Sequence, residues 1–449
     1  MKIVHRILLI ALSALLIILS FEPFAFRFLA LVAWIPFLIS LRGAIFRVAY
    51  RLGILHGMLV FGGALSWTLH IFSTFAIALW FILSLFPALF AGLSSQTTGK
   101  WRPLLIATLW TGLEFLRGEL FWLHFPWITP GTALPPNFFT PLVGVYGVSF
   151  LVLLGASFII ASQRLKQLSG AFLLLSIWLA PHFHFSKSES PTIKVALIQN
   201  ESMNYDDYRI ATTELEEQVD AIVWPEYAIG FDPTKLQGVQ AEIAELLGSE
   251  AKVFVAGGKS WLDDDGDIYA NTAFTFGRER ILGTHTKNRL VHFFAEGEKG
   301  TEAKSISSPL GQIGTPICFD CDHQDVIRRM TADGAELFLI PSMDAAHWSE
   351  RQHLQHGQLF RHRAAENSRW LAIASTSGLT QIINPKGETV ASIPLMEEGS
   401  LVGLVSTNDV TTPFQIGGWI IGPISLAGTS IITIVMIVSS IKKRLNAKA

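Results

Sequence analysis

The sequence predicts a multi-span α-helical membrane domain joined to an α/β domain that lies outside the cytoplasm. Three observations predict it. Half of the 449 residues are hydrophobic and only 16% are charged, against about 25% charged in an ordinary soluble domain. Mean hydropathy is +0.41. The apolar residues are also unevenly spread: the chain is almost wholly apolar to about residue 185, whereas residues from about 190 to 410 read like a globular domain. Roughly 220 residues can bury a large core as one domain. The net charge of -2 gives no sign of a nucleic-acid partner. Cys318 and Cys321 are the only cysteines, which excludes a disulfide framework.

Apolar stretches long enough to span a bilayer, or close to it, are expected near 7–20, 24–41, 52–70, 72–94, 103–117, 142–163 and 169–183, with an eighth near 416–441. The expected organisation is a transmembrane domain over 1–185 with about seven helices, a globular domain over 191–410 after the polar linker Ser186–Pro191, and a C-terminal transmembrane helix over 416–441. The first stretch follows the basic start Lys2, His5 and Arg6. Phe21-Glu22-Pro23-Phe24 is a poor cleavage signal, so this stretch reads as an uncleaved helix rather than a signal peptide.

Lys and Arg gather in short cytoplasmic loops. Here they cluster at Lys2 and Arg6, at Arg42, Arg47 and Arg51, at Lys100 and Arg102, at Arg164 and Lys166, and at Lys442, Lys443 and Arg444. With about eight spans every cluster falls on one side. Both termini are then cytoplasmic, and the globular domain and the 118–141 loop face the other side, the periplasm of a bacterial inner membrane. The loop carries Phe121, Trp122, Phe125, Trp127, Phe138 and Phe139. They read either as an interfacial aromatic belt or as a platform for lipid chains near an active site. Glu114 and Arg117, one helical turn apart at the end of the fifth stretch, either pair with each other or meet a lipid headgroup, since lone charges at membrane depth are costly.

In the globular region, strands are expected at Ile193–Asn200, Ala221–Trp224, Lys252–Gly258, Gly311–Ile317, Glu336–Pro341, Trp370–Ser375 and Thr380–Asn384. Helices are expected near 206–218, 237–248, 323–333 and 351–368, and a hairpin turn at Asp263–Asp267. That acidic run lacks the later glutamate of a calcium loop. Strands and helices alternate, the pattern of α/β layering. Such folds place their chemistry at strand ends. Three groups stand there or in adjoining loops: Glu226, Lys287 and Cys318. A thiolate is a strong nucleophile for acyl transfer. A carboxylate can take its proton, and an ammonium can stabilise an oxyanion and lower the thiol pKa. Spacing alone does not select these three; a buried cysteine and two solvated charges are the default reading.

Their surroundings resemble the nitrilase, or carbon–nitrogen hydrolase, superfamily, whose triad is Glu, Lys and Cys. The resemblance covers roughly 191–410 and implies a nitrilase-like αββα sandwich. The whole chain resembles the membrane branch of that superfamily, the apolipoprotein N-acyltransferases, in its order of several helices, nitrilase domain and final helix. Phe125-Pro126-Trp127, Gly144-Val145-Tyr146-Gly147, Tyr269-Ala270-Asn271-Thr272, Leu290-Val291-His292-Phe293, Gln355-His356 and Arg363–Arg369 are similar to family segments in the same order. The triad carried over is Glu226, Lys287 and Cys318, with Trp127 and Trp348 as substrate-binding residues. There are departures. Phe319-Asp320 stands where the family has Tyr-Glu after the nucleophile. The loop after Lys287 carries an extra residue, so either Glu296 or Glu298 takes the place of the supporting glutamate; Glu296 is favoured. Asp344 stands near where the family has Asn-Asp before a Trp.

Cys318-Phe319-Asp320-Cys321 is also a C-x-x-C, which invites redox or zinc readings; His323 would supply one further ligand, but a second cysteine pair is lacking. His353 and His356, one turn apart, suit a metal in principle, and a solvated or substrate-facing helix is the plainer reading. The resemblance implies no cofactor or metal and a two-step reaction. Cys318 takes an acyl chain from a membrane phospholipid, such as phosphatidylethanolamine, as a thioester. It then passes the chain to the N-terminal α-amine of a diacylglyceryl-cysteine apolipoprotein. A membrane-tethered amidase or hydrolase, and a non-catalytic lipid- or lipoprotein-binding protein, are the alternatives.

Overall fold

Long apolar runs free of charges become the longest helices. A computed structural model describes residues 1–180, 185, 192–202, 204–236, 238–263 and 265–446. The expected linker Ser186–Pro191 and part of the Asp263–Asp267 turn lie outside the described residues. The chain divides into two units, Met1–Pro181 with Gly417–Ala449, and His182–Ile416.

Within the first unit, Ile3–Ser20, Phe75–Ser95, Thr140–Ile159 and Gly418–Asn446 are helices long and apolar enough to cross a membrane. The other expected stretches take different forms. Residues 24–41 form a 3-10 turn, Arg27–Leu31, and a short helix, Trp34–Ser40. The 52–70 stretch belongs to Phe46–Ala64, which carries Arg47, Arg51 and His56, followed by Thr68–Phe72. Arg102–Phe115 runs into a π-helical turn, Leu116–Leu120. Arg164–Leu179 has 16 residues.

Small residues let these helices approach, as is usual where lipid removes any hydrophobic drive between them. A Cβ on Gly53 would lie 2.5 Å from the Cα of Ala88, and one on Gly112 2.5 Å from the carbonyl oxygen of Ser425. Glu114 and Arg117 are both buried and are satisfied separately. Glu114 accepts from Ser149 Oγ at 2.7 Å and from Trp110 Nε1 at 2.6 Å. Arg117 donates to the carbonyl of Trp127 at 2.8 Å and lies over the ring of Phe61.

The second unit is a sandwich of two six-stranded sheets. Its strands are β1 Ile193–Gln199, β2 Ala221–Val223, β3 Val253–Trp261, β4 Tyr269–Phe276, β5 Ile281–Thr286, β6 Ile306–Ser308, β7 Gly311–Gly314, β8 Leu337–Pro341, β9 Trp370–Ala374, β10 Gln381–Ile383, β11 Thr389–Ser392 and β12 Gly399–Val405. One sheet runs β12-β1-β2-β3-β4-β5, the other β11-β10-β9-β8-β7-β6. In each, three central strands are parallel, β1-β2-β3 and β7-β8-β9.

Side chains alternate across a strand, and the sequence obeys that rule on both sheets. Val195, Leu197, Val223 and Val255 meet Leu337, Leu339, Ala372 and Ile382 between the sheets. The residues between them point outward. Ala196, Ile198, Trp224 and Phe254 pack with helices Tyr205–Thr213 and Val239–Leu247. Phe338, Ile340, Leu371 and Ile373 pack with helices Gln324–Ala332 and Glu350–Asn367. The layering is αββα, as the resemblance implied.

Four strands lie outside the sequence reading: β5, β6, β11 and β12. All stand at or near sheet edges, and β11 and β12 are largely exposed, so their patterning is weak. β12 closes the first sheet by pairing antiparallel with β1 in the register Ile193↔Val405. The strand expected over Gly311–Ile317 stops at Gly314; the Pro316 that follows has no N–H for a ladder. The expected 206–218 helix ends at Thr213.

Candidate active site

Glu226 follows β2 through Trp224 and Pro225. Its backbone packs so closely on β3 that a Cβ on Gly257 would lie 2.5 Å from the Cα of Glu226. Its backbone N–H donates to the carbonyl of Ser342, just beyond β8, at 3.3 Å. One carboxyl oxygen, Oε1, accepts from Asn271 Nδ2 at 2.6 Å and from Lys287 Nζ at 2.9 Å. The other, Oε2, is buried without a hydrogen-bond partner among the described residues.

Lys287 is the residue after β5. Its backbone N–H donates to the carbonyl of Asn271 at 2.8 Å, and its carbonyl accepts from Gly300 at 2.9 Å. The buried ammonium contacts Glu226 and also Glu296 Oε1, at 2.5 Å. Burial alone would lower its pKa; the two carboxyl groups outweigh that and hold it well above the ordinary value. Glu296 also accepts from the backbone of Val291 at 2.5 Å. Burial, with the charge of Glu226 adding to it against Lys287, raises its carboxyl. Glu298 is exposed. The partner of Lys287 is therefore Glu296, the favoured one of the two.

Cys318 opens a 3-10 turn, Cys318–Asp322, with φ at 46°. A non-glycine residue in this left-handed region stores strain, of the order of 1–3 kcal/mol. Its side chain packs against Ala273 of β4 and Ile317, and the thiol donates to the carbonyl of Met343 at 3.5 Å. Burial pushes the thiol well up, Glu226 and Asp344 push the same way, and Lys287 opposes them. Lys287 thus acts on the thiol in the expected direction, but burial and the two carboxyl groups outweigh it.

Asp320 ties the turn down. Its Oδ1 accepts from the backbone of Asn288 and Arg289 at 2.9 and 2.8 Å. Its Oδ2 accepts from the backbone of Ile317 at 3.1 Å and lies 2.9 Å from His285 Nε2. Burial would raise this carboxyl, but these bonds hold it below its usual range. The segment that carries Lys287 is thereby bonded to the turn that carries Cys318. Phe319 is buried, its ring edge-on to His323 at 5.0 Å. Trp348 lies 5.4 Å from the ring of Phe294, in the same loop as Glu296. Trp127 belongs to the other unit and is buried there against Trp67, with ring centroids 5.1 Å apart.

The two thiols part company. Cys321 is in the core cluster with Val326, Met330 and Phe360, whereas Cys318 belongs to the site; both are free. The helix that carries the histidines is not solvated: His353, His356 and His362 are all buried. His353 Nε2 turns to the carbonyl of Ala345 at 3.1 Å, and His356 turns to Asp344 and Asp322. The sequence reading assigned no role to Asn271, His285 or Asp322, and weighed His356 only as a metal ligand or a residue of a solvated or substrate-facing helix. Asn271 carried one signal, a polar side chain among the apolar positions of a strand.

Residues 13–158 match the family described as apolipoprotein N-acyltransferase N-terminal domain. Residues 194–412 match the family carbon-nitrogen hydrolase. The chain is similar to an apolipoprotein N-acyltransferase of Geobacter metallireducens, 25% identical over 95% of this chain and 94% of that one. It is also similar to one of Nitrosomonas europaea, 27% identical over 81% of this chain and 83% of that one. Among solved structures it is similar to Saccharomyces cerevisiae Nit3, a member of branch 10 of the nitrilase superfamily, at 21% identity and a TM-score of 0.40, covering 49% of this chain and 92% of that one. One polypeptide thus joins an N-terminal region of the acyltransferase type to a carbon–nitrogen hydrolase sandwich, and the chain belongs to the apolipoprotein N-acyltransferase family, the membrane branch of the nitrilase superfamily.

Proposed function

We propose that this protein transfers an acyl chain from a membrane phospholipid to the N-terminal α-amine of diacylglyceryl-cysteine apolipoproteins, through a thioester on Cys318. One observation carries the reading. A buried thiol, pushed well up by burial, feels both a carboxyl group that has an unused oxygen and an ammonium paired with two carboxyl groups. The curated relatives bear the acyltransferase name over nearly the whole chain.

In the first step Glu226 takes the Cys318 proton as sulfur attacks the ester carbonyl. Lys287 stabilises the oxyanion. The C–O bond breaks, and the lysophospholipid leaves as an alcohol with the proton from Glu226. In the second step the acceptor amine attacks the thioester and Glu226 takes its proton. The C–S bond breaks, the proton returns to Cys318, and an amide remains. Glu296 keeps Lys287 in place. The steps use no group beyond these side chains. Both substrates are lipid-anchored, which suits a chain whose long apolar helices keep it in a membrane. The basic clusters support an orientation in the inner membrane with both termini cytoplasmic and the sandwich on the periplasmic side.

Cys318→Ala is expected to abolish thioester formation with a labelled phospholipid and to lower acylation of a lipoprotein substrate by roughly a thousandfold or more. Full acyl transfer by that variant would overturn the proposal. Label released as free fatty acid by the unaltered protein, with no lipoprotein acylated, would instead establish a hydrolase.

A further inference from the structure

Behind the Cys318 turn lies a second charged group that the reaction scheme leaves unused. His356, on the helix Glu350–Asn367, is buried with an acidic residue at each ring nitrogen. Nδ1 lies 2.8 Å from Asp344 Oδ1. Nε2 lies 3.2 Å from Asp322 Oδ1. Nδ1 makes a hydrogen bond with Asp344, whereas Nε2 and Asp322 Oδ1 lie at ion-pair distance without hydrogen-bond geometry. Two carboxyl groups this close to one buried ring favour its charged form, an imidazolium. The charged and titratable groups that face it are Asp322 from the nucleophile turn, Asp344 from the loop after β8, and His353 from its own helix.

Both acids lead directly to the thiol. Asp322 ends the 3-10 turn that Cys318 begins. Asp344 follows Met343, whose carbonyl accepts the Cys318 thiol proton. Asp344 is held rigidly: Gln352 Nε2 donates to it at 2.8 Å, and its carbonyl accepts from Thr376 Oγ1 at 3.0 Å. Gly378 passes so close that a Cβ there would lie 2.3 Å from Asp344 Oδ2.

We propose that His356 is a positioning residue for the acyl transfer: its imidazolium clamps Asp322 of the nucleophile turn to Asp344 and offsets the Asp344 charge behind the Cys318 thiol. The role rests on Cys318 as the nucleophile. Without the clamp, Asp344 stands uncompensated beside a sulfur that must become an anion. Burial and both acids act on His356 together, the acids outweighing burial, and its pKa is pushed up to about 10. The clamp is then charged at neutral pH.

The test is the pH profile of Cys318 alkylation by iodoacetamide in the full-length protein in detergent, with the modified residue located by mass spectrometry. His356→Gln is expected to move the profile to higher pH and slow alkylation about tenfold at a given pH, since one pKa unit is a tenfold change in thiolate. Adding Asp344→Asn to that variant is expected to restore the rate. A ring with only a packing role predicts the reverse, a loosened turn and faster alkylation. An unmoved profile, faster alkylation, or no restoration by Asp344→Asn overturns the proposal. Asp344→Asn alone removes a charge that opposes the thiolate and is expected to speed alkylation, so an unchanged rate there also overturns it, even if His356→Gln does not fold. Alkylation needs no lipid. A shifted profile in a protein that forms no thioester with phospholipid would therefore reject the acyl-transfer reading and leave the clamp standing.

Discussion

At the scale of the residue, the site is an exercise in keeping charge among buried side chains. Lys287 faces Glu226 and Glu296, Asp320 faces His285, and His356 faces Asp344 and Asp322. Each charge has a partner within hydrogen-bond reach, as burial demands. A pH dependence of stability follows from the last set. A group whose pKa is raised on folding contributes fully below its ordinary value, and that contribution is lost as pH rises through the folded value. For His356 that interval runs from 6.5 to about 10. The melting temperature of the protein is expected to fall across it, and that of His356→Gln to fall less steeply; equal slopes would show that the ring is not charged in the folded protein. Asp344, pulled down to about 2 by His356 against burial, acts at the other end. Its contribution is present above 3.8 and lost only as pH falls through about 2. Cys321 is a packing residue. Cys321→Ala is expected to cost about 1 kcal/mol of stability and to keep most of the acyl-transfer activity. A loss as deep as that of Cys318→Ala would point to a paired-thiol role.

At the scale of the element, strand ends do the positioning. Glu226 follows β2, Lys287 follows β5, and Cys318 lies beyond β7, so the groups come from both sheets. The Glu226 loop can reach the others only because β3 carries no side chain where it passes. Gly257→Ala would force Cβ against the Cα of Glu226. It is expected to lower stability by about 1–3 kcal/mol, as overpacking does, and to lower activity more than the change in folded fraction explains. An active variant with unchanged KM and kcat would show that the loop has room to shift. The strands of the parallel cores were legible because they are buried on both faces and read as short apolar runs. β11 and β12 were not, because edge strands carry only a few packed apolar residues, such as Leu401 and Val405 of β12. β12 also takes its place by pairing with β1, far away in sequence, whereas β11 pairs with its neighbour β10.

At the scale of the whole molecule, composition separates the two units. The apolar segments were readable from hydropathy and the α/β layering from strand–helix alternation, whereas the sandwich came from the family resemblance. Orientation belongs to the charge distribution outside the spans. A green fluorescent protein fused to the C terminus is expected to fluoresce, as it does when it folds in the cytoplasm. A dark fusion, with alkaline phosphatase active at the same position, would reverse the topology. What the sequence determined by itself was local: the apolar run of each core strand, the apolar helices, and the motifs that carry Glu226, Lys287 and Cys318. Only the tertiary structure decided which glutamate lies against Lys287, that the Cys318 thiol is buried, and that His356 is buried between two acids. Those are contacts set by where loops and turns bring the chain together, 9 positions apart for Lys287 and Glu296 and 12 for Asp344 and His356, or properties of the desolvated space they enclose. No local pattern encodes either.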